Sequence, residues 1–261
     1  MAKYRLHISY DGTDFCGWQK QKDHAFGPDK PSLQETLETG LSKIFQHPVD
    51  LCASGRTDAG VHAISQVCHF VTERPMPKDL CWALKSFLPT SVAAKGVWEA
   101  PRDFHATLSA VRKTYRYWVW NHPRATALLS RYSWWIRQPL NLEFLNQTCR
   151  FLEKKQDFAS FRTMGTPVAH TIREIFKAEW TLVKPGLVQF EVTGSGFMKQ
   201  MVRNIVGTQV DLMMKSRPAE AMGQILEAKD RRKAGTTAPP QGLFLYRVYY
   251  PKELDKRCRR L

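Results

Sequence analysis

Long apolar runs are absent from this sequence, and so is any basic amphipathic stretch that could anchor it to a lipid surface. A membrane-spanning helix needs about 20 consecutive apolar residues, and an interfacial anchor needs a strong hydrophobic face beside a basic one. The first four residues lead directly into a strand pattern, without a secretory or transit segment. We therefore expect a cytoplasmic protein with no membrane partner.

Paired metal-ligand and disulfide motifs are also missing. The six cysteines include no C-x-x-C pair, and the eight histidines include no H-E-x-x-H motif. Structural zinc sites and small disulfide frameworks normally show such spacing. We expect no metal site and no disulfide scaffold.

Acidic residues are few relative to basic ones. The sequence has 24 Asp plus Glu against 39 Lys plus Arg, which gives a net charge of +15. An excess of this size is typical of proteins that bind phosphate backbones. With 261 residues, 43% of them apolar, the chain can bury one large core or two smaller ones. The composition predicts a globular nucleic-acid-binding protein.

The first half of the chain reads as β-α-β-β-α-β. Residues 4–10 alternate as a strand, and Ser32 with Glu35 forms a capping box that starts a helix with one apolar face. Strands flank residues 53–63, a second helix covers about 78–88, and a strand follows at 91–100. This order is typical of a ferredoxin-like domain.

The second half repeats the alternation of strands and helices. We expect a strand at 111–120, a helix at 141–154, a hairpin at 172–193 and a helix at 197–208. No low-complexity linker separates the halves, so they should be intimately joined. The predicted fold class is α/β (α+β), with mixed or antiparallel sheets flanked by helices, and the predicted domains are 1–104 and 105–261.

One loop, residues 53–63, concentrates the polar groups that could do chemistry. Gly55 and Gly60 bracket Arg56, Thr57 and Asp58 between two predicted strands. Glycines permit backbone conformations that let a substrate approach closely, so the loop could present a reactive carboxylate. The alternative is a tight turn in which Asp58 bonds its own backbone.

Two further segments hold residues with more than one interpretation. Residues 111–120 alternate basic and aromatic side chains, so Tyr115 could stack on a base or pack in the core. Arg203 lies among apolar residues of a predicted helix, where it could serve a buried site or extend to the surface.

Five motifs together resemble the TruA-type tRNA pseudouridine synthases. Gly-Arg-Thr-Asp-Ala-Gly-Val-His-Ala at residues 55–63 is similar to the signature loop of that family. The other four are Tyr-Asp-Gly-Thr…Gly-Trp-Gln at 10–19, Arg-Lys-Thr-Tyr-Arg-Tyr at 112–117, Phe-x-x-x-Met-Val-Arg-Asn at 197–204, and the segment that begins the last strand at Leu243. The resemblance covers essentially the whole chain.

The resemblance implies a fold and a set of roles. The fold would be the pseudouridine synthase fold of two ferredoxin-like halves, acting as a homodimer on tRNA uridines 38, 39 and 40. Asp58 would be the catalytic carboxylate and Arg203 its pairing cation, while Tyr115 and Leu243 would contact the target base. Arg56 would enter the space that the base leaves or contact the adjacent phosphate.

The implied reaction breaks the N1–C1′ bond of uridine, forms a C5–C1′ bond and releases the C5 proton. It requires no redox step and no phosphate energy, so we expect no cofactor. One carboxylate can serve, either as a nucleophile towards the sugar or the base, or by removing a sugar proton. The sequence leaves these routes open.

Residues Asp23 to Lys30 form an insertion relative to the usual pattern of the family. It keeps open the same chemistry on other tRNA or RNA uridines. Two other functions remain as alternatives: a non-catalytic tRNA-binding or chaperone protein, and a nuclease or glycosidase. The last ranks lowest because no second carboxylate or metal cluster is arranged near Asp58. We expect His62, inside the signature loop, to pack rather than to contact RNA.

Overall fold

A computed structural model describes residues 1–20, 30–163, 165 and 169–261. The insertion predicted at Asp23 to Lys30 lies, apart from Lys30, outside the described residues. The chain divides into two compact units. Unit 1 comprises Met1–Val111 with Leu245–Leu261, and unit 2 comprises Arg112–Phe244.

Unit 1 is built on an antiparallel sheet. Its strands are β1 (Ala2–Tyr10), β2 (Cys52–Ala53), β3 (His62–Thr72) and β4 (Val92–Ala100), and β1 pairs with both β3 and β4 while β2 pairs with β3. The spatial order is therefore β4-β1-β3-β2, with β3 inserted between two strands that a helix connects. This confirms the ferredoxin-like order predicted for the first half.

The helices in the first segment of unit 1 form a layer on this sheet. They are α1 (Leu33–Phe45) and α2 (Leu80–Lys85). Ser32 Oγ accepts the Glu35 amide at 3.1 Å, which is the predicted N-cap of α1. At the other end of α1, the Phe45 ring lies 5.7 Å from that of Phe70 on β3. The apolar face of α1 thus fixes the helix to the strand that follows the signature loop.

Unit 2 is built around five further strands. Its strands are β5 (Arg112–Asn121), β6 (Trp134–Ile136), β7 (Lys155–Asp157), β8 (Ile172–Lys184) and β9 (Leu187–Gly194). The order β5-β9-β8-β7 is antiparallel, and the short β6 pairs in parallel with β5, so the architecture is mixed. The predicted hairpin is confirmed as β8 and β9.

Among its described residues, unit 2 also has the helices α3 (Leu142–Cys149), α4 (Met201–Met214) and α5 (Ala221–Ala228). Most of α4 is buried, including its polar residues Arg203, Asn204 and Gln209. The helix begins at Met201 rather than at 197, because Gln200 has a left-handed backbone with φ of 58°. A buried helix with polar groups needs internal hydrogen-bond partners.

The last segment returns to unit 1. It comprises β10 (Leu243–Tyr249), α6 (Lys252–Lys256) and β11 (Arg259–Arg260), and β11 pairs antiparallel with β4. The Tyr250 hydroxyl donates to the Ala106 carbonyl at 2.7 Å. The packing thus differs from the predicted division at 104/105 in two respects. The boundary falls after Val111, and residues 245–261 belong with the first unit.

None of the helices in the described parts of the chain combines the length and apolar character that crossing a membrane requires.

A partly buried histidine makes the stability of unit 1 depend on pH. The His7 ring lies 4.3 Å from that of Trp98, and burial, with the charges of Arg5 and Lys95, lowers the pKa of His7 from 6.5 to about 4. Between these values the unfolded chain binds a proton that the folded chain does not. The contribution of His7 to the free energy of unfolding is therefore fully present above about pH 6.5 and is lost as the pH falls towards 4.

We expect His7→Phe to remove roughly 1–2 kcal/mol of the stability loss that wild type shows between pH 7 and pH 5. The measurement is the urea unfolding free energy of both proteins at the two pH values. An equal loss in wild type and variant would show that His7 does not contribute.

Candidate active site

The loop that connects β2 to β3 is closed by backbone hydrogen bonds. The Ser54 amide donates to the Val67 carbonyl at 2.7 Å, and the Val61 amide donates to the Asp58 carbonyl at 3.1 Å. Gly60, between Asp58 and Val61, has φ of 75°, a conformation that favours glycine. The turn that carries Asp58 therefore depends on the glycine of its motif.

A fully buried glutamine on β3 binds the first residues of the loop. Gln66 has no exposed surface, and its Nε2 donates to the Gly55 carbonyl at 2.8 Å. Its Oε1 accepts the Ser54 hydroxyl at 2.7 Å. The first part of the loop is thus fixed to the adjoining strand by one side chain, whose role the sequence pattern did not reveal.

The turn-rich segment after β1 supports the loop from a second direction. The Trp18 amide donates to the Thr57 carbonyl at 3.0 Å, and Gly17 forms an isolated antiparallel bridge with Asp58. The hydroxyls of Tyr10 and Thr57 are hydrogen-bonded at 2.8 Å. Two of the motifs recognised in the sequence, residues 10–19 and 55–63, therefore form one structure.

His62 lies where these two motifs meet. It is 1% exposed, and its Nδ1 lies 3.1 Å from both the Gly12 amide nitrogen and Asp11 Oδ1. A Cβ on Gly12 would lie 2.0 Å from the Val61 carbonyl oxygen, so no other residue fits at that position without displacement of the loop. His62 joins the two segments, within the core of unit 1.

The three central side chains of the loop differ in their exposure to solvent. Thr57 is buried, Asp58 is half-buried and Arg56 is exposed. The inward hydroxyl of Thr57 is held by Tyr10, which fixes the backbone on either side of it. The loop therefore offers a carboxylate and a guanidinium within three residues, on a backbone with little freedom to move.

In unit 2, β5 carries the predicted base-contacting tyrosine. Tyr115 is 7% exposed, and its ring lies edge-on to that of Phe197 at 5.1 Å. Tyr117, on the same face of the strand, is fully buried. Burial lowers the pKa of Lys113, also on this face, to about 8.

Arg203 is a buried residue of α4. It is 9% exposed, so the interpretation as an arginine extending to the surface is wrong. Its Nε donates to the Ala238 carbonyl at 2.7 Å, and the Ala238 amide donates to the Arg203 carbonyl at 3.1 Å. Leu243, 5% exposed, follows a 3₁₀ turn at Pro240–Gly242 a few residues beyond Ala238. One segment therefore connects Arg203 and Leu243.

The predicted site residues thus form two sets. Arg56 and Asp58 belong to one loop of unit 1, whereas Tyr115, Arg203 and Leu243 belong to unit 2. Within unit 2, the hydroxyl of Tyr117 donates to the Pro239 carbonyl at 2.7 Å. The strand of Tyr115 therefore contacts the same segment that binds Arg203 and precedes Leu243.

A separate cluster in unit 1 has the donor types of a metal site. One ligand atom each from Cys52, His69 and His105 lies within 4.8 Å of the other two. Sequence spacing did not reveal this cluster, because Cys52 and His69 meet only through the pairing of β2 with β3. His105 joins them from the loop after β4, with its ring 4.7 Å from that of His69.

The hydrogen bonds of this cluster fix the imidazole tautomers. His69 Nδ1 accepts the Ala106 amide, and His105 Nδ1 accepts the amides of Thr107 and Leu108, each at 3.2 Å. The proton of a neutral ring is then on Nε2, so neither ring offers a free lone pair. Burial, with the neighbouring His105 and Lys3, lowers the pKa of His69 to about 4. The three side chains thus form a thiol–imidazole cluster within unit 1.

Known proteins resemble the chain over almost all of its length. The model of a family described as tRNA pseudouridine synthase matches residues 7–107 and 151–251, segments that include Asp58, Arg203 and Leu243. A tRNA pseudouridine synthase A of Bdellovibrio bacteriovorus is 55% identical, over 100% of this chain and 99% of that protein. Proteins of the same name from Syntrophotalea carbinolica and Ruminiclostridium cellulolyticum are 41% and 38% identical, each over 96% of this chain and over 97% and 100% of their own lengths.

Proposed function

This chain belongs to the tRNA pseudouridine synthase family, and on that premise we propose that it isomerises uridines 38, 39 and 40 in the anticodon stem-loop of tRNA. It is an enzyme that converts uridine to pseudouridine in tRNA. The choice of the anticodon stem-loop follows from the resemblance of the motifs to the TruA-type enzymes.

We propose Asp58 as the catalytic carboxylate. The observation that carries this proposal is the support of its loop, in which Gln66, Tyr10 and the Trp18 amide each hold a neighbouring residue. A reactive group that is held rigidly avoids the loss of freedom that would otherwise raise the barrier. A simple turn would not require supports from two different elements.

Four further residues are proposed to bind the substrate. The target atoms of a stacked uridine are not accessible, so the nucleotide must leave the stack and enter a pocket with aromatic or apolar walls. Tyr115 and Leu243 have the chemistry of such walls, and both are nearly buried. Arg56, exposed on the signature loop, would occupy the vacated space or contact the adjacent phosphate.

Arg203 is proposed to supply positive charge to the reaction centre. Arg203 is 9% exposed, so its charge acts in a setting that excludes most water, where an electrostatic interaction with an anion is strong. An adjacent cation favours the ionised form of a carboxylate, so Arg203 would keep Asp58 ready to act as a nucleophile or a base. None of these roles requires a cofactor.

The remaining proposals concern the assembly and its setting. The net charge of +15 supports binding to the phosphates of tRNA, with an affinity that falls steeply as salt rises. We propose a homodimer that acts on tRNA in the cytoplasm, as the resemblance implies. Light scattering should give the mass of two chains, and the mass of a single chain at micromolar concentration would reject the dimer.

The decisive experiment measures tritium release from tRNA that contains 5-tritiated uridine, with a chelator present and no added cofactor. Formation of the C5–C1′ bond expels the C5 proton, so each turnover releases one tritium. We expect release from tRNAs with uridine at 38, 39 or 40, and none from matched transcripts with cytidine at all three positions.

Two other results would each reject part of the proposal. Equal release from both transcripts would place the modified uridines elsewhere in the tRNA. Tight tRNA binding without release from any tRNA would favour the non-catalytic binding protein.

A further inference from the structure

Residues 235–242, which we call the belt, lie along helix α4 in unusually close contact. A Cβ on Gly207 of α4 would lie 1.9 Å from the Thr236 carbonyl oxygen of the belt. Glycine is therefore required at that position of the helix, although it lowers helix propensity. This cost indicates that the path of the belt is important.

Consecutive residues of the belt are bound one after another. The Gly235 amide donates to Thr208 Oγ1 at 2.9 Å, and the Thr236 amide donates to Asp211 Oδ2 at 2.7 Å. The Thr237 hydroxyl then donates to Asn204 Oδ1 at 2.7 Å. Each of these partners is on α4, so the belt follows the helix towards its N-terminal end, where Arg203 lies.

The next two residues of the belt bind the site itself. Ala238 and Arg203 form two reciprocal hydrogen bonds, one through the backbone amide of Ala238 and one through the side-chain Nε of Arg203. The adjacent Pro239 carbonyl accepts the Tyr117 hydroxyl at 2.7 Å. Proline at 239 and 240 restricts the backbone at this point. The two carbonyls are therefore fixed relative to each other.

A second layer fixes the side chain that binds Thr237. Asn204 is fully buried, and its Nδ2 donates to the Phe161 carbonyl at 2.8 Å. Arg231 Nη2 donates both to Asn204 Oδ1 at 3.2 Å and to Thr237 Oγ1 at 3.1 Å. Asn204 follows Arg203 directly in the helix, so its anchoring also restricts the backbone of Arg203.

We propose that the belt sets the orientation of the Arg203 guanidinium for the reaction, with Tyr117 and Thr237 as positioning residues. This inference rests on the proposed function, in which Arg203 acts at the reaction centre. An arginine side chain has many rotamers, and the Ala238 carbonyl selects one by accepting Nε–H. Ala238 lies between Thr237, which binds Asn204, and Pro239, which binds Tyr117. These two hydrogen bonds fix the position of the Ala238 carbonyl.

The test uses Tyr117→Phe with Tyr250→Phe as its matched control. Each substitution removes a buried phenol that donates to a backbone carbonyl at 2.7 Å, but Tyr250 bonds Ala106 in unit 1. We expect similar decreases in the urea midpoint. Only Tyr117→Phe should lower kcat for tritium release, by about 10- to 100-fold with KM nearly unchanged, the size of effect expected for a misplaced group. Equal kcat values in the two variants would overturn the proposal.

A second pair of variants tests the hydrogen bond of Thr237, the residue that precedes Ala238. Thr237→Val removes the hydroxyl with almost no change in shape, whereas Thr237→Ser retains it. We expect a lower kcat in the valine variant and recovery in the serine variant. Equal kcat in both would contradict a positioning role for the hydroxyl.

Hydrogen exchange at Arg203 Nε–H gives a readout that does not depend on catalysis. In ¹⁵N-labelled protein, Arg203→Lys identifies this resonance by its loss. We expect faster exchange in Tyr117→Phe and Thr237→Val than in Tyr250→Phe. Unchanged exchange would reject the role of the belt even if the enzyme were active. If wild type releases no tritium, but exchange is still faster in Tyr117→Phe and Thr237→Val, the role of the belt is supported and the proposed function is rejected.

Discussion

Replacing Asp58 by Asn should lower tritium release from tRNA by at least about 10³-fold, because the amide is neither a nucleophile nor a base. The affinity for tRNA should stay within about threefold, since phosphate contacts supply most of it. The measurement combines single-turnover tritium release with filter binding of the same tRNA. The substitution is nearly isosteric, so the supported loop should remain folded.

Asp50→Asn provides the matched control. Asp50 is an exposed carboxylate that shortly precedes the same loop, and its replacement should leave the rate unchanged. Retention of more than about a tenth of the wild-type rate by Asp58→Asn would remove Asp58 from its catalytic role. Loss of both rate and binding would instead indicate a damaged loop.

The second large effect is expected at Arg203. Arg203→Met should lower kcat by about 10²–10³-fold, since in the proposed mechanism it removes a preorganised positive charge from the reaction centre. Arg203→Lys should recover only a small part of this loss, because an ammonium group lacks the Nε–H that the Ala238 carbonyl accepts. Both kcat and the urea midpoint should be measured, to separate loss of function from loss of stability.

Arg257→Lys is the corresponding control. Arg257 forms a two-point ion pair with Asp103 at 2.8 and 2.9 Å on the surface of unit 1. Its replacement should change neither kcat nor KM. A fully active Arg203→Lys would show that the direction of the guanidinium is unimportant, and would contradict the role given to Arg203.

The elements that the sequence predicted well are those with a clear periodicity. Strand β3, helix α1 and the β8–β9 hairpin each bury one face. Their apolar residues therefore recur about every second residue in the strands and about every third or fourth residue in the helix. Helix α5 was not predicted, since its short sequence includes Gly223 and has no capping signal. The segment of α6 and β11 was not predicted either, because charged residues dominate it and its contacts, such as Arg259 with Glu99, are distant in sequence.

The candidate site shows the same limit. Its five residues were found through motifs, which are contiguous in the chain. The groups that hold them were not found, because Gln66 reaches back to Gly55 and Tyr117 reaches forward to Pro239. Hydrogen bonds between side chains and distant carbonyls leave no periodic signal. The burial of Arg203 was likewise invisible, since a polar residue in an apolar helix fits either a buried or a surface position.

The return of residues 245–261 to unit 1 has a consequence for biosynthesis. Unit 2 is continuous in the sequence, whereas unit 1 is formed from two separated segments. A ribosome therefore synthesises every residue of unit 2 before Tyr250, which binds Ala106, and before β11, which pairs with β4. Because domains generally fold as units during synthesis, the nascent sheet that carries the signature loop keeps an unpaired edge at β4 until residues 245–261 have been synthesised.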